Sequence, residues 1–114
     1  MKYMVMINHG PALERQEALP EDERNAVYAD WQALRETPGV ISGLGLAPPE
    51  TATTVRVEDG KTLVTDGPFV EAKESIGGYF LFEADDLDAA IEVAARVPSA
   101  RLGGAVEIRP IVEW

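Results

Sequence analysis

Two segments of this chain are apolar at nearly every position, and segments of that kind must be covered on both sides. Residues 2–8 read KYMVMIN and residues 76–84 read IGGYFLFEA. Both are too short for an ordinary helix and rich in β-branched or aromatic residues, so each reads as a strand. In the first, Met4 and Met6 alternate with Tyr3, Val5 and Ile7; in the second, Tyr79, Phe80, Leu81 and Phe82 follow one another without a break. Strands with two apolar faces belong at the centre of a sheet.

Around them the pattern supplies two helices and further strands. PEDERNAVYADWQALRE, starting at Pro20, opens with a proline and three acids suited to a helix N-terminus and sets Val27, Trp31 and Leu34 on one face. Thr37-Pro38-Gly39 stops it. Residues 40–47 (VISGLGLA) read as a strand loosened by Gly43 and Gly45. TTVRVE and KTLVT flank Asp59-Gly60, the pair a two-residue type I′ turn needs, so they form a hairpin with Val57 opposite Thr62, Val55 opposite Val64 and Glu58 opposite Lys61. A second helix opens on Asp85-Asp86-Leu87-Asp88, carries the stripe Leu87, Ala90, Ile91, Ala94 and Ala95, and ends at Val97-Pro98. Residues 105–113 (AVEIRPIVE) form the last strand, placed at an edge by Pro110.

The order is β-α-β, a hairpin, then β-α-β, an α+β fold of ferredoxin-like plan with an antiparallel sheet and a hairpin inserted in its middle. With 114 residues, 46% of them hydrophobic, the chain can fill one core, so residues 1–114 form one domain. Two helices cover only one face of the sheet, and the other face then calls for a second copy packed sheet to sheet. The chain is expected to be a homodimer.

Composition narrows the chemistry. There is no cysteine, which removes disulfides, thiolate metal sites and cysteine nucleophiles. One histidine and scattered carboxylates speak against a metal, and no cofactor is expected. Twenty Asp+Glu against 10 Lys+Arg give a formal charge of −10, which would repel a phosphate backbone, so nucleic acid is not an expected partner. No run approaches the roughly 20 apolar residues of a membrane helix, and MKYMVMINHG lacks the apolar region and cleavage site of a signal peptide; a cytoplasmic protein without membrane contact is expected.

The segment LVTDGPFVEAKESIGGY, with the tetrad Asp66-Gly67-Pro68-Phe69, resembles the DGPF branch of the YCII-related proteins, as do the start MKYMVMI, the hairpin and the ending VEIRPIVEW. The resemblance implies a dimeric α+β barrel, two ferredoxin-like subunits joined through their sheets. It also implies either of two functions: a cofactor-free enzyme with an Asp and His pair in a cleft, one branch dehydrochlorinating an aromatic ring, or a domain that works beside extracytoplasmic-function sigma factors. The motif's Asp is Asp66. The relatives' His lies on the first helix, where this chain has Tyr28, Asp30 and Trp31, and its only histidine is His9 at the end of the first strand.

Four residues are therefore candidates for a site. Asp66 either holds the turn before Gly67-Pro68 by hydrogen-bonding backbone N–H groups or acts as a general base. His9 can exchange protons near neutrality or sit as a plain loop residue. Lys73, the one cation of the motif segment, suits an anionic substrate group. Tyr28 either packs with Trp31 or offers a phenol to a pocket between helix and sheet. Two functions fit: lyase or isomerase-type proton transfer on a small molecule by Asp66 and His9, or a ligand-binding or regulatory module acting with a sigma factor.

Overall fold

The computed structural model describes residues 1–67 and 76–113. In chain order these form β1 (Lys2–Asn8), α1 (Ala12–Glu17), α2 (Glu21–Arg35), β2 (Val40–Gly45), β3 (Thr53–Glu58), β4 (Lys61–Asp66), β5 (Ile76–Glu83), α3 (Leu87–Ala95), α4 (Pro98–Arg101) and β6 (Ala105–Pro110), with a 3-10 turn at Pro49–Thr51. Four strands make an antiparallel sheet in the order β2-β5-β1-β6, the ferredoxin-like arrangement, and β3 and β4 pair separately. The two doubly apolar segments are its central strands, and the Pro110 strand lies at an edge.

Alternation along the central strands divides the sheet into two faces. Tyr3, Val5, Ile7, Phe80 and Phe82 are buried with Leu34 of α2 and with Ala90, Val93, Ala94 and Val97 at and beyond α3. On the other face the register lines up Met4 with Leu81 and Arg109, and Met6 with Tyr79 and Glu107. Among the described residues no helix joins that second row in the core, and its four apolar side chains stay half-buried.

Four sequence expectations change. A short helix, α1, precedes the first expected one; it buries Ala12 and Gln16, one turn apart. The apolar stripe of α3 is turned: Ala90, Val93 and Ala94 are inside, whereas Leu87 and Ile91 are each 49% exposed. Pro98 does not merely end that helix but starts α4 at its first position, where the missing N–H costs nothing. Strands β2 and β6 close at Gly45 and Pro110, earlier than expected, and the chain goes on with single backbone bonds, Leu46 N–H to the Gly77 carbonyl (2.8 Å) and Ile111 N–H to the Lys2 carbonyl (2.9 Å).

The hairpin follows its sequence pair by pair, Val57 with Thr62, Val55 with Val64, Glu58 with Lys61. Its turn residues adopt the positive φ required of them, 49° at Asp59 and 76° at Gly60. Among the described residues no helix is long and apolar enough to cross a membrane.

Candidate small-molecule site

Glycines open a cavity beside the edge strand β2. On the inner face of the sheet, Gly43 pairs with Phe80 and Gly45 with Gly78, which in turn lies opposite Ile7. At these positions β2 therefore sends no side chain toward α2, and a cavity of about 740 Å³ opens between them. A Cβ at Gly45 would meet nothing within 4 Å, so the glycine leaves open space rather than accommodating a neighbour. Gly77 is different: a Cβ there would collide with the Cδ2 edge of the His9 ring. That glycine lets the imidazole lie directly on the backbone of β5.

His9 is thus placed by contacts on three sides. Its Nδ1 is 2.8 Å from the Ser99 hydroxyl, its Nε2–Cδ2 edge rests over Gly77, and its ring meets Trp31 edge-on with centroids 6.2 Å apart. Trp31 is fixed in turn by its indole N–H, which donates to the Gln16 side-chain oxygen at 2.9 Å. Ser99 is 1% exposed, so its hydroxyl orients the imidazole but cannot reach a ligand. Burial holds the His9 pKa below its ordinary 6.5, against a weaker opposite effect of a backbone hydrogen bond with Gly77. The ring is accordingly neutral at pH 7 and can take up a proton.

This has a consequence for stability. A histidine with a lowered folded pKa binds protons more readily when unfolded, so its contribution is intact above pH 6.5 and is lost as the pH falls from 6.5 toward the folded value. The urea midpoint of the protein should drop over that window, and His9→Gln should flatten the drop. Identical slopes for the two proteins would remove His9 as its source.

The opposite wall comes from α2, where Tyr28, Gln32 and Arg35 follow at helical spacing and all border the cavity. The Tyr28 hydroxyl donates to the Glu17 carboxylate at 2.8 Å, and this bond raises the phenol's pKa. Tyr28 is therefore a neutral phenol, and its own donor is committed.

Of the four residues expected at a site, the fold brings His9 and Tyr28 to this cavity. Asp66 is exposed at the end of β4, paired with Thr53, and does not border it. The corner after Asp66 is held by other groups, with Thr54 donating to the Gly67 carbonyl (2.7 Å) and Gly67 N–H to the Ala52 carbonyl (2.7 Å). Lys73 lies outside the described residues. Sequence reasoning missed Ser99, Gln32 and Arg35; the last two share the Tyr28 face of α2, and that spacing was the available signal. Among the described residues no cluster of three or more His, Asp or Glu could hold a metal ion.

An antiparallel α+β sheet with helices on one face and a histidine-bearing cavity beside its edge strand defines the class of protein. The comparison with known families is more specific. The profile of the YCII-related domain matches residues 1–114, and the chain belongs to that family. It is similar to an uncharacterised protein of Rhizobium meliloti (strain 1021), 33% identical over 116 residues that cover 97% of this chain and 92% of that one.

Proposed function

We propose that the chain is a small-molecule enzyme of the DGPF branch that moves a proton without a cofactor, in lyase or isomerase-type chemistry, with His9 as the acid and base. The observation that supports this is the His9–Ser99 pair: a neutral imidazole, fixed at Nδ1 by a buried hydroxyl, at the border of a cavity large enough for a metabolite. A free base near neutrality is the state a proton-abstracting group needs, and a fixed ring needs no reorientation at the moment of transfer. Ser99 is a positioning residue. Asp66 joins the chemistry only if a partner chain carries it in, since its own chain does not set it on the cavity.

The test is turnover of a substrate found by thermal-shift screening. His9→Ala should lower it about a hundred- to ten-thousand-fold while leaving the ligand-induced shift in place. Full turnover by His9→Ala would reject the role, and binding without turnover in the parent protein would favour the regulatory module instead.

The proposal includes a homodimer. Met4, Met6, Tyr79 and Leu81 form an apolar row on the sheet face without helices, bordered by Glu107 and Arg109, two opposite charges that a two-fold axis can set against each other. Light scattering at micromolar concentration should give twice 12.4 kDa, and Leu81→Lys should give one chain. The mass of one chain for the parent would reject the dimer.

A further inference from the structure

We infer that the cavity between α2 and β2 takes an organic anion, an apolar and preferably planar body carrying one carboxylate-like group, with Arg35 as its charge partner. The inference rests on the reading of this cavity as a ligand site and adds the class of ligand.

Charge is the first argument. The chain carries 20 Asp+Glu, yet among the described residues no carboxylate borders the cavity. The cation on its wall is Arg35. Two acids lie near by, Glu17 and Glu36, but each accepts a hydrogen bond from a side chain of α2, Tyr28 at 2.8 Å and Gln32 at 3.1 Å, and neither borders the space itself. In a protein of formal charge −10, an anion is repelled almost everywhere. A concave surface with a guanidinium and, among the described residues, no acid on its wall is where it is tolerated.

Arg35 has a structural explanation as well, because a cation in the last turn of α2 suits the negative end of the helix dipole. That explains its place on the helix but not the absence of acids, among the described residues, from the wall of the cavity it borders. Arg101 pairs with Asp30 at 2.6 Å, an ion pair that does not involve Arg35. A guanidinium can grip a carboxylate with two parallel hydrogen bonds, which gives orientation as well as attraction.

Shape is the second argument. Ile7, Leu34 and Phe80 form apolar lining, Trp31 and His9 present rings, and β2 sets Gly43 and Gly45 among Val40, Ile41, Ser42 and Leu44 along its wall. Glycine backbone lets a flat molecule lie close, and ring edges and faces favour a planar one. Held at Arg35, such a ligand extends along α2 past Gln32 toward Tyr28, across from the imidazole of His9.

The test uses three probes of one shape: 2-naphthoate, 2-naphthamide and the 2-naphthylmethylammonium cation. Binding is measured by calorimetry, and its place by the indole N–H resonance of Trp31, assigned with Trp114→Phe. The carboxylate should bind about tenfold more tightly than the amide, with the ammonium weakest, and should move the Trp31 signal. Arg35→Gln should bring carboxylate and amide to parity, with no more than the small fall in thermal midpoint that loss of a helix-end cation brings, and Arg35→Lys should retain part of the preference. Equal binding of carboxylate and amide to the parent, both moving Trp31, would overturn the anion inference and leave the ligand site standing. If no probe moves Trp31, the cavity is not a ligand site and both readings fall. A carboxylate preference together with full turnover by His9→Ala would uphold the ligand class while removing the proton role.

Discussion

Phe80→Ala should cost about 3–5 kcal/mol of folding free energy, the usual penalty for emptying a large aromatic site in a core. Phe80 is 4% exposed on a central strand, lies opposite Val5 on one side and Gly43 on the other, and is packed among the helix residues of the core. The side chains around it cannot collapse into the space easily, because Gly43 brings no side chain and the cavity lies on that flank. Small domains hold only about 5–15 kcal/mol in total, so the variant should be close to unfolding at room temperature. Urea denaturation followed by circular dichroism measures it. A loss below about 1 kcal/mol would mean that the sheet and helices repack around the gap, contrary to the picture of one tight core.

Gly104→Ala should be nearly as damaging, about 3 kcal/mol, through contact alone. Added to Gly104, a Cβ would meet the carbonyl oxygens of His9 at 2.7 Å and Ser99 at 2.9 Å, and also that of Asn8. All three are backbone atoms and cannot rotate away. The Gly104 N–H also donates to the Ser99 carbonyl at 2.8 Å, so a shift of this corner moves Ser99. The strain therefore reaches the site, and the His9 pKa in this variant should move back toward 6.5 as the ring loses its fixed, half-buried position. Titration of the His9 ring protons by NMR reads that second effect apart from the loss of stability. Parental stability with a parental titration would show that the corner has more room than its atoms indicate.

What the sequence disclosed well was local or strongly patterned. Asp59-Gly60 determines a turn by the conformations its residues accept, and the register of the whole hairpin follows from that pair. The unbroken apolar runs identified the central strands because no other position in such a sheet covers both sides. The stripe of α3 was harder, since Leu87-Ala90-Ile91-Ala94 and Ala90-Val93-Ala94-Val97 both have helical spacing, and only packing against the sheet selects the second. Six-residue α1 is too short for periodicity to show.

The site was less legible for a physical reason: its parts are distant in sequence. Ser99 lies 90 positions from His9, and nothing in either neighbourhood announces the pairing. Gly43 and Gly45 read as weaknesses of a strand, whereas in three dimensions they are the missing wall that makes the cavity. The DGPF tetrad is the most conspicuous motif of the sequence, yet its Asp66 stands apart from the pocket that His9 and Tyr28 border.

Among the described residues the β3–β4 hairpin pairs with no strand of the larger sheet, and Val55, Val57 and Val64 are each at least 60% exposed. A two-stranded ribbon in water has little beyond its own backbone bonds and cross-strand pairs to hold it. The chain therefore has two tiers of cohesion, a four-stranded body that opens only when everything opens and an arm that can come apart by itself. Asp66 ends the second strand of that arm, so it lies outside the cooperative four-stranded body and can be released without unfolding it.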